Sequence, residues 1–169
     1  LEVRHLASPQ VNLGNFLPAD DPAALPPNTY SFDVGIEDLN YEFQFSIKGS
    51  DSNKDVQSRL ARLITNANIG MSAQVVTDED GNSALRMESD ATGLKDGKKV
   101  QFAISDQRTS KAAGVVNYLG LDYIASPATN ASFLVDGEEY SSTSNHYTLD
   151  HIYELQFNGV SGEEGETAS

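Results

Sequence analysis

The sequence predicts an α+β fold, predominantly antiparallel β, with one principal helix packed on a sheet and one short second helix. Three observations carry this expectation. Apolar side chains alternate with polar ones in several short runs, the period of a half-buried strand. Turn signals rich in Asp, Asn and Gly join most of these runs and return the chain antiparallel. One stretch, Val56 to Ala67, repeats instead with the period of a helix.

In chain order, Leu1 to Leu6 reads as a strand, and the stretch carrying Pro9, Pro18, Pro22, Pro26 and Pro27 reads as a connection, because proline lacks the ladder donor. Tyr30, Phe32, Val34 and Ile36 alternate. After the polar break at residues 37–40, Tyr41, Phe43, Phe45 and Ile47 resume the alternation, which predicts a hairpin with one buried face. Val56, Leu60, Leu63, Ile64 and Ala67 then form a helical stripe. Asp51, Ser52 and Asn53 offer N-caps before it, and Asn66, Asn68 and Gly70 offer stop signals after it. Ala73 and Val75, the turn at residues 78–82, and Leu85 and Met87 predict a second hairpin, and Val100, Phe102 and Ile104 predict a further strand. Ala112, Val115, Val116 and Leu119 fit the short second helix, with Ser110 as N-cap and Gly120 past its end. Phe133 and Val135 lead through Asp136-Gly137 to Tyr140 as a third hairpin. Tyr153, Leu155 and Phe157 alternate in a last strand before a polar tail. One compact domain and two lobes divided near residues 95–130 both fit this pattern.

Composition narrows the function. The 169 residues carry 11 basic and 25 acidic side chains, a formal charge of −14 that repels phosphate backbones and anionic lipid, so neither nucleic acid nor a membrane is an expected partner. No apolar run approaches the ~18 residues of a membrane helix. Cysteine is absent, which removes disulfides, zinc–thiolate sites and cysteine nucleophiles together. The chain begins at Leu1 without a signal-peptide pattern and reads as an excised fragment.

Catalytic and metal patterns break wherever they begin. His146 and His151 are spaced for neither a helix face nor a strand face, and His5 lies far from both in sequence. If Gly81 were the turn glycine of a calcium loop, the first ligand position would be Val76 and the bidentate glutamate position Met87. Gly81-Asn-Ser83 and Gly159-Val-Ser161 both depart from the nucleophile elbow, and no glycine-rich phosphate loop occurs. No enzyme activity, cofactor or metal is expected.

Residues 69–76 (IGMSAQVV), the turn through Gly81 and residues 85–93 (LRMESDATG) resemble the hook IN motif of flagellar axial proteins, here about residues 69–93. Gly70, Ala73, Val75, Leu85, Ser89, Thr92 and Gly93 match it, and Gly81 sits in its turn. Met71 stands where valine is usual and Met87 where leucine is, both apolar exchanges. Glu2 to Ala7 with Gln10, Asn53 to Val56, Ile64 to Asn68, Leu119 to Leu121, Phe133 to Gly137, Ser141 to Asn145 and Leu155 to Gly159 resemble, in the same order, segments of the filament cap (hook-associated protein 2) family. The resemblance implies the outer β-rich region of an extracellular structural protein of the bacterial flagellum, supporting flagellin assembly at the filament tip. It implies flagellin and further copies of the same protein as partners. The family's heptad-bearing terminal helices have no counterpart here, so the fragment itself is expected to be monomeric. The competing expectations are a variable outer domain of another axial protein or flagellin, and an adhesion module that stacks host surface glycans on an exposed patch of Tyr118, Tyr123, Tyr140, Tyr147 or Tyr153.

Overall fold

The computed structural model describes residues 1–107, 113–149, 153–156 and 159. In chain order the elements are β1 (Glu2–His5), β2 (Val11–Leu13), β3 (Leu17–Pro18), β4 (Asn28–Ile36), β5 (Leu39–Ile47), α1 (Asn53–Asn66), β6 (Met71–Thr77) and β7 (Asn82–Ser89). They continue with β8 (Phe102–Asp106), α2 (Val115–Leu119), β9 (Ile124–Ser126), β10 (Ala131–Val135), β11 (Glu138–Ser142), β12 (His146–Leu149) and β13 (Tyr153–Gln156). The fold is thus α+β and mainly antiparallel, with one principal helix. The chain divides into two compact units: Val11–Asp90 with Phe102–Ala125, and Leu1–Gln10 with Ala91–Gln101 and the described part of residues 126–169.

In the larger unit, β4 and β5 form a hairpin across Glu37 and Asp38, both at positive φ (54° and 63°), the geometry that matches strand twist in a two-residue turn. The register Phe32↔Phe43 and Val34↔Tyr41 sets the apolar residues on one face, and β8 extends it on the other side of β4 through Val34↔Ile104. In a second sheet, β7 pairs with β6 along one side and with β2 and β3 along the other, with β9 beyond β2. The proline-bearing stretch is therefore more than a connection. Its strands β2 and β3 are too short to show a period, and their partner β7 lies far along the chain.

Helix α1 begins at a capping box: Ser52 Oγ accepts from Asp55 N at 3.1 Å, and Asp55 Oδ2 accepts from Ser52 N at 3.0 Å. Asn53 N and Lys54 N donate to the carbonyls of Asp21 and Ala19, so the first-turn donors are met by the proline-bearing segment. Val56, Leu60 and Ile64 are fully buried, a burial worth about 1.5–3 kcal/mol for each side chain. The stripe departs from expectation at its end. Ala67 is an exposed C-cap, because Asn68 turns left-handed (φ 53°) and stops the helix, and Leu63 is only half-buried. These residues share one core with Phe32, Val34, Leu85, Met87, Phe102, Ile104, Val115 and Leu119.

Two further expectations need correction. Val100 is exposed and outside β8, because the chain changes units between Gln101 and Phe102. The N-cap position of α2 is held by Gly114, while Ser110 and Ala112 lie outside the described residues. Glycine has no capping side chain, so the Asp106 carboxylate accepts from Val116 N and Asn117 N, each at 2.9 Å.

In the smaller unit, β10 pairs with β1 and β11, and Val3, Ala7, Ala131 and Phe133 form a compact core. Asp136 and Gly137 (φ 51° and 82°) make the β10–β11 turn, and Tyr140 stacks on Phe133 at 5.7 Å. β12 and β13 form a separate hairpin. Phe157 and residues 162–169 lie outside the described residues. The sequence expectations contain no counterpart to β9 or β12.

Candidate functional site

The segment singled out in the sequence, residues 69–93, is built on the β6–β7 hairpin. Gly70 (φ 102°) enters β6, and its carbonyl accepts from Asp90 N at 2.9 Å, which closes the open end. At the other end Gly81 (φ 81°) lies in the turn. Asp78 organises that turn: Oδ1 accepts from Asp80 N and Asn82 N at 2.9 Å each, and Oδ2 from Asn82 Nδ2 at 3.1 Å. The backbone N–H of Asn82, with the Asn82 amide and Asp80 N–H behind it, holds the Asp78 carboxyl below the usual carboxylate range. Its oxygens are engaged by their own loop.

Between the ends, Val75 faces Leu85 and Ala73 faces Met87, with Leu85 and Met87 fully buried and Ala73 and Val75 half-buried. Ser89 is buried and pairs with Met71. The outer edge of β6 is covered by α1, whose Thr65 Oγ1 accepts from Ala73 N at 3.0 Å and donates to Ala73 O at 3.2 Å. That hydroxyl gives Ala73, on the open side of the strand, both of the partners its backbone lacks there. Under the hairpin, Gln57 Nε2 donates to Ser83 O at 2.9 Å and Ser83 Oγ donates to Gln57 Oε1, so a fully buried polar pair is satisfied within itself.

Thr92 and Gly93 belong to the smaller unit, whereas Gly70, Ala73, Val75, Gly81, Leu85 and Ser89 belong to the larger one. Thr92 Oγ1 donates to Thr143 O at 2.7 Å, and Gly93 N donates to Ser8 O at 3.0 Å. Gln101 Nε2 bonds the carbonyls of both Ala91 and Gly93 at 2.9 and 2.8 Å. Gln10 and Gln101 each donate a backbone N–H to the other's side-chain oxygen, at 2.7 and 2.9 Å. A Cβ on Gly93, at φ 80°, would overlap the Thr143 carbonyl oxygen and lie 2.6 Å from Thr143 Cα. The bonding roles of these glutamines, and of Gln57, Ser83 and Thr65, escape sequence reasoning, although Gln10 and Thr65 lie in segments that carry the resemblance. The only signal is a polar residue on an apolar stripe, as Gln57 stands beside Val56.

The polar groups of this region pin backbone to backbone. Arg59 does the same nearby: it forms a bidentate pair with Asp51 (2.8 and 2.9 Å), bonds Ser46 O at 2.7 Å and lies over the Phe45 ring. Arg59, then the Lys48 N–H, hold the Asp51 carboxyl below its usual range against the opposing effect of burial. Among the described residues no group of three or more His, Asp or Glu is placed to hold a metal ion. His5 and His146 are exposed, and His151 lies outside the described residues. Of the tyrosines raised as a stacking surface, Tyr123 is 65% exposed. Tyr118 is half-buried, donating to Asn53 Oδ1 at 2.6 Å and accepting from Ala24 N at 3.0 Å, and Tyr140 is taken up by Phe133.

No protein-family model matches the chain, and no curated protein matches its sequence. Solved structures share its fold. The D2-D3 domains of the flagellar cap protein FliD from Escherichia coli match with a TM-score of 0.65 and 19% identity, over 94% of this chain and 80% of that one. FliD (HAP2) from Pseudomonas aeruginosa matches with a TM-score of 0.63 and 23% identity, over 98% and 74%. Against the D1-D2-D3 domains of the Escherichia coli protein the TM-score is 0.62 at 20% identity, and the 94% of this chain that matches spans only 47% of that chain.

Proposed function

We propose that this chain is the outer, non-enzymatic part of a flagellar filament cap protein, working outside the cell at the filament tip. The observation that carries the reading is the fold shared with FliD over 94% to 98% of the chain, reached independently of the ordered series of short motifs. On this reading the two units are counterparts of the D2 and D3 domains. The hairpin and its continuation to Gly93 are then the hook IN motif, a stiff structural element whose polar groups are spent on its own backbone. The role is mechanical: the domain stands between flagellin and further copies of the same protein, and assembly rests on helical segments of the parent protein. The glycan-stacking alternative has less support, since Tyr118 and Tyr140 are packed or bonded within the domain.

Gold-labelled antibodies against this chain, applied to cells of the source organism, are expected to mark filament tips. Deleting the encoding gene is expected to abolish swimming and to release unpolymerised flagellin into the medium. Labelling of the cell body with bare tips, or normal filaments in the deletion strain, would refute the reading. The isolated chain is expected to sediment as a monomer at micromolar concentration.

A further inference from the structure

β5 is one of the two edge strands of its sheet and is nine residues long. The two-residue turn makes Ile36↔Leu39 a pair that exchanges hydrogen bonds, so the bonded positions toward β4 are Leu39, Tyr41, Phe43, Phe45 and Ile47. The backbone N–H and C=O groups of Asn40, Glu42, Gln44 and Ser46 therefore point outward. The Ser46 carbonyl is taken by Arg59. Among the described residues nothing bonds the outward groups of Asn40, Glu42 and Gln44. Beside this open ladder runs an apolar shelf on the core face: Leu39 is 57% exposed, and Tyr41 and Phe43 are half-buried.

The charge on the opposite face distinguishes among occupants. Asp33 of β4 stands directly across from Glu42, a like-charge pair that is unfavourable in a sheet and that a neighbouring cation would relieve. Glu37 and Asp38 of the turn add to the same acidic edge; Lys48 lies beyond the far end of β5, and Arg59, at Ser46, is paired with Asp51. A second copy is a poor occupant. In the register that uses all three open positions, two-fold pairing centres on Glu42 and sets two Glu42 carboxylates side by side.

We propose that the outer edge of β5 is a docking site for an extended segment of a partner protein whose side chains alternate apolar with basic, added as a further strand. Its backbone completes the ladder at Asn40, Glu42 and Gln44. Its apolar side chains cover Leu39, Tyr41 and Phe43, and its basic side chains lie beside Glu42 and Asp33. The site stands whether or not the chain belongs to a flagellar cap.

The probe is a blocked heptapeptide of alternating lysine and valine, titrated into the 169-residue chain and followed by amide hydrogen exchange and backbone NMR. Its glutamate–valine counterpart serves as control. Protection of the Asn40, Glu42 and Gln44 amides is expected to rise on binding of the lysine peptide alone. Gln44→Pro removes an outward N–H and leaves the bonds to β4 intact, so it is expected to weaken binding by about tenfold or more with an unchanged melt. Glu42→Lys, which tests the site should the proline variant fail to fold, is expected to weaken it roughly fivefold. No binding, binding that protects other amides, equal binding of the glutamate peptide, or unaltered affinity in a folded Gln44→Pro or Glu42→Lys variant overturns the proposal. So does protection of these amides that grows with protein concentration alone, which would make a second copy the occupant.

Discussion

Gly93 and Gly97 offer an internal comparison, because they lie in the same unit and adopt nearly the same left-handed backbone, φ 80° and 78°. An alanine Cβ at Gly97 meets nothing within 4 Å, whereas at Gly93 it overlaps the Thr143 carbonyl and lies 2.7 Å from Asn130 Oδ1. Gly97→Ala therefore costs only the left-handed backbone term, about 1–2 kcal/mol, partly offset by the stiffer unfolded chain. A net loss of about 1 kcal/mol is expected. Gly93→Ala adds an overpacking cost of about 1–3 kcal/mol, since the obstructing atoms of Thr143 are backbone and cannot rotate away. It also disturbs the Asn130 Oδ1 bond to Leu94 N, 2.6 Å long, for about another 1 kcal/mol. The expected loss is about 3–5 kcal/mol. Urea denaturation of the wild type and both variants, followed by a probe in the smaller unit, measures the difference. Variants within about 0.5 kcal/mol of each other would show that the approach of residues 92–93 to Thr143 does not constrain the unit.

Leu60→Ala should destabilise the larger unit by about 2–5 kcal/mol in urea denaturation followed by a probe in that unit, because Leu60 is fully buried at the centre of the α1 stripe, and a loss below about 0.5 kcal/mol would mean that stripe is not its core. Asp51 has a depressed carboxyl pKa, so its contribution is complete above the unfolded value of about 3.9 and disappears as pH falls through the folded value. Asp51→Asn should cost about 1–3 kcal/mol at neutral pH, the range of hydrogen bonds to a charged group, and the gap to wild type should narrow below about pH 4. A gap independent of pH would contradict that account. Calcium should leave the melting temperature unchanged, because Asp78 is occupied by Asp80 and Asn82; a chelator-dependent melt would show that this loop opens to a cation.

Much of the architecture follows from short-range signals. The Glu37-Asp38 and Asp136-Gly137 turns, the alternation from Tyr30 to Ile47, and the α1 stripe between Ser52 and Asn68 each act within a few residues. Strand twist, side-chain period and capping geometry are local properties of the backbone. Gly70, Ala73, Val75, Gly81, Leu85 and Ser89 are accordingly placed by a hairpin that the sequence alone predicts. What tertiary structure alone decides is pairing at a distance. β2 and β3 have too few residues for a period, and they become strands only because β7 offers a free side to them. Val100 and Phe102 follow one apolar alternation yet part company, since the chain crosses between units at Gln101–Phe102, a division that depends on which surfaces bury together. The same division gives Thr92 and Gly93 to the smaller unit. Their partners Ser8, Gln101 and Thr143 come from three separate stretches of chain, and no local preference encodes contacts of that range.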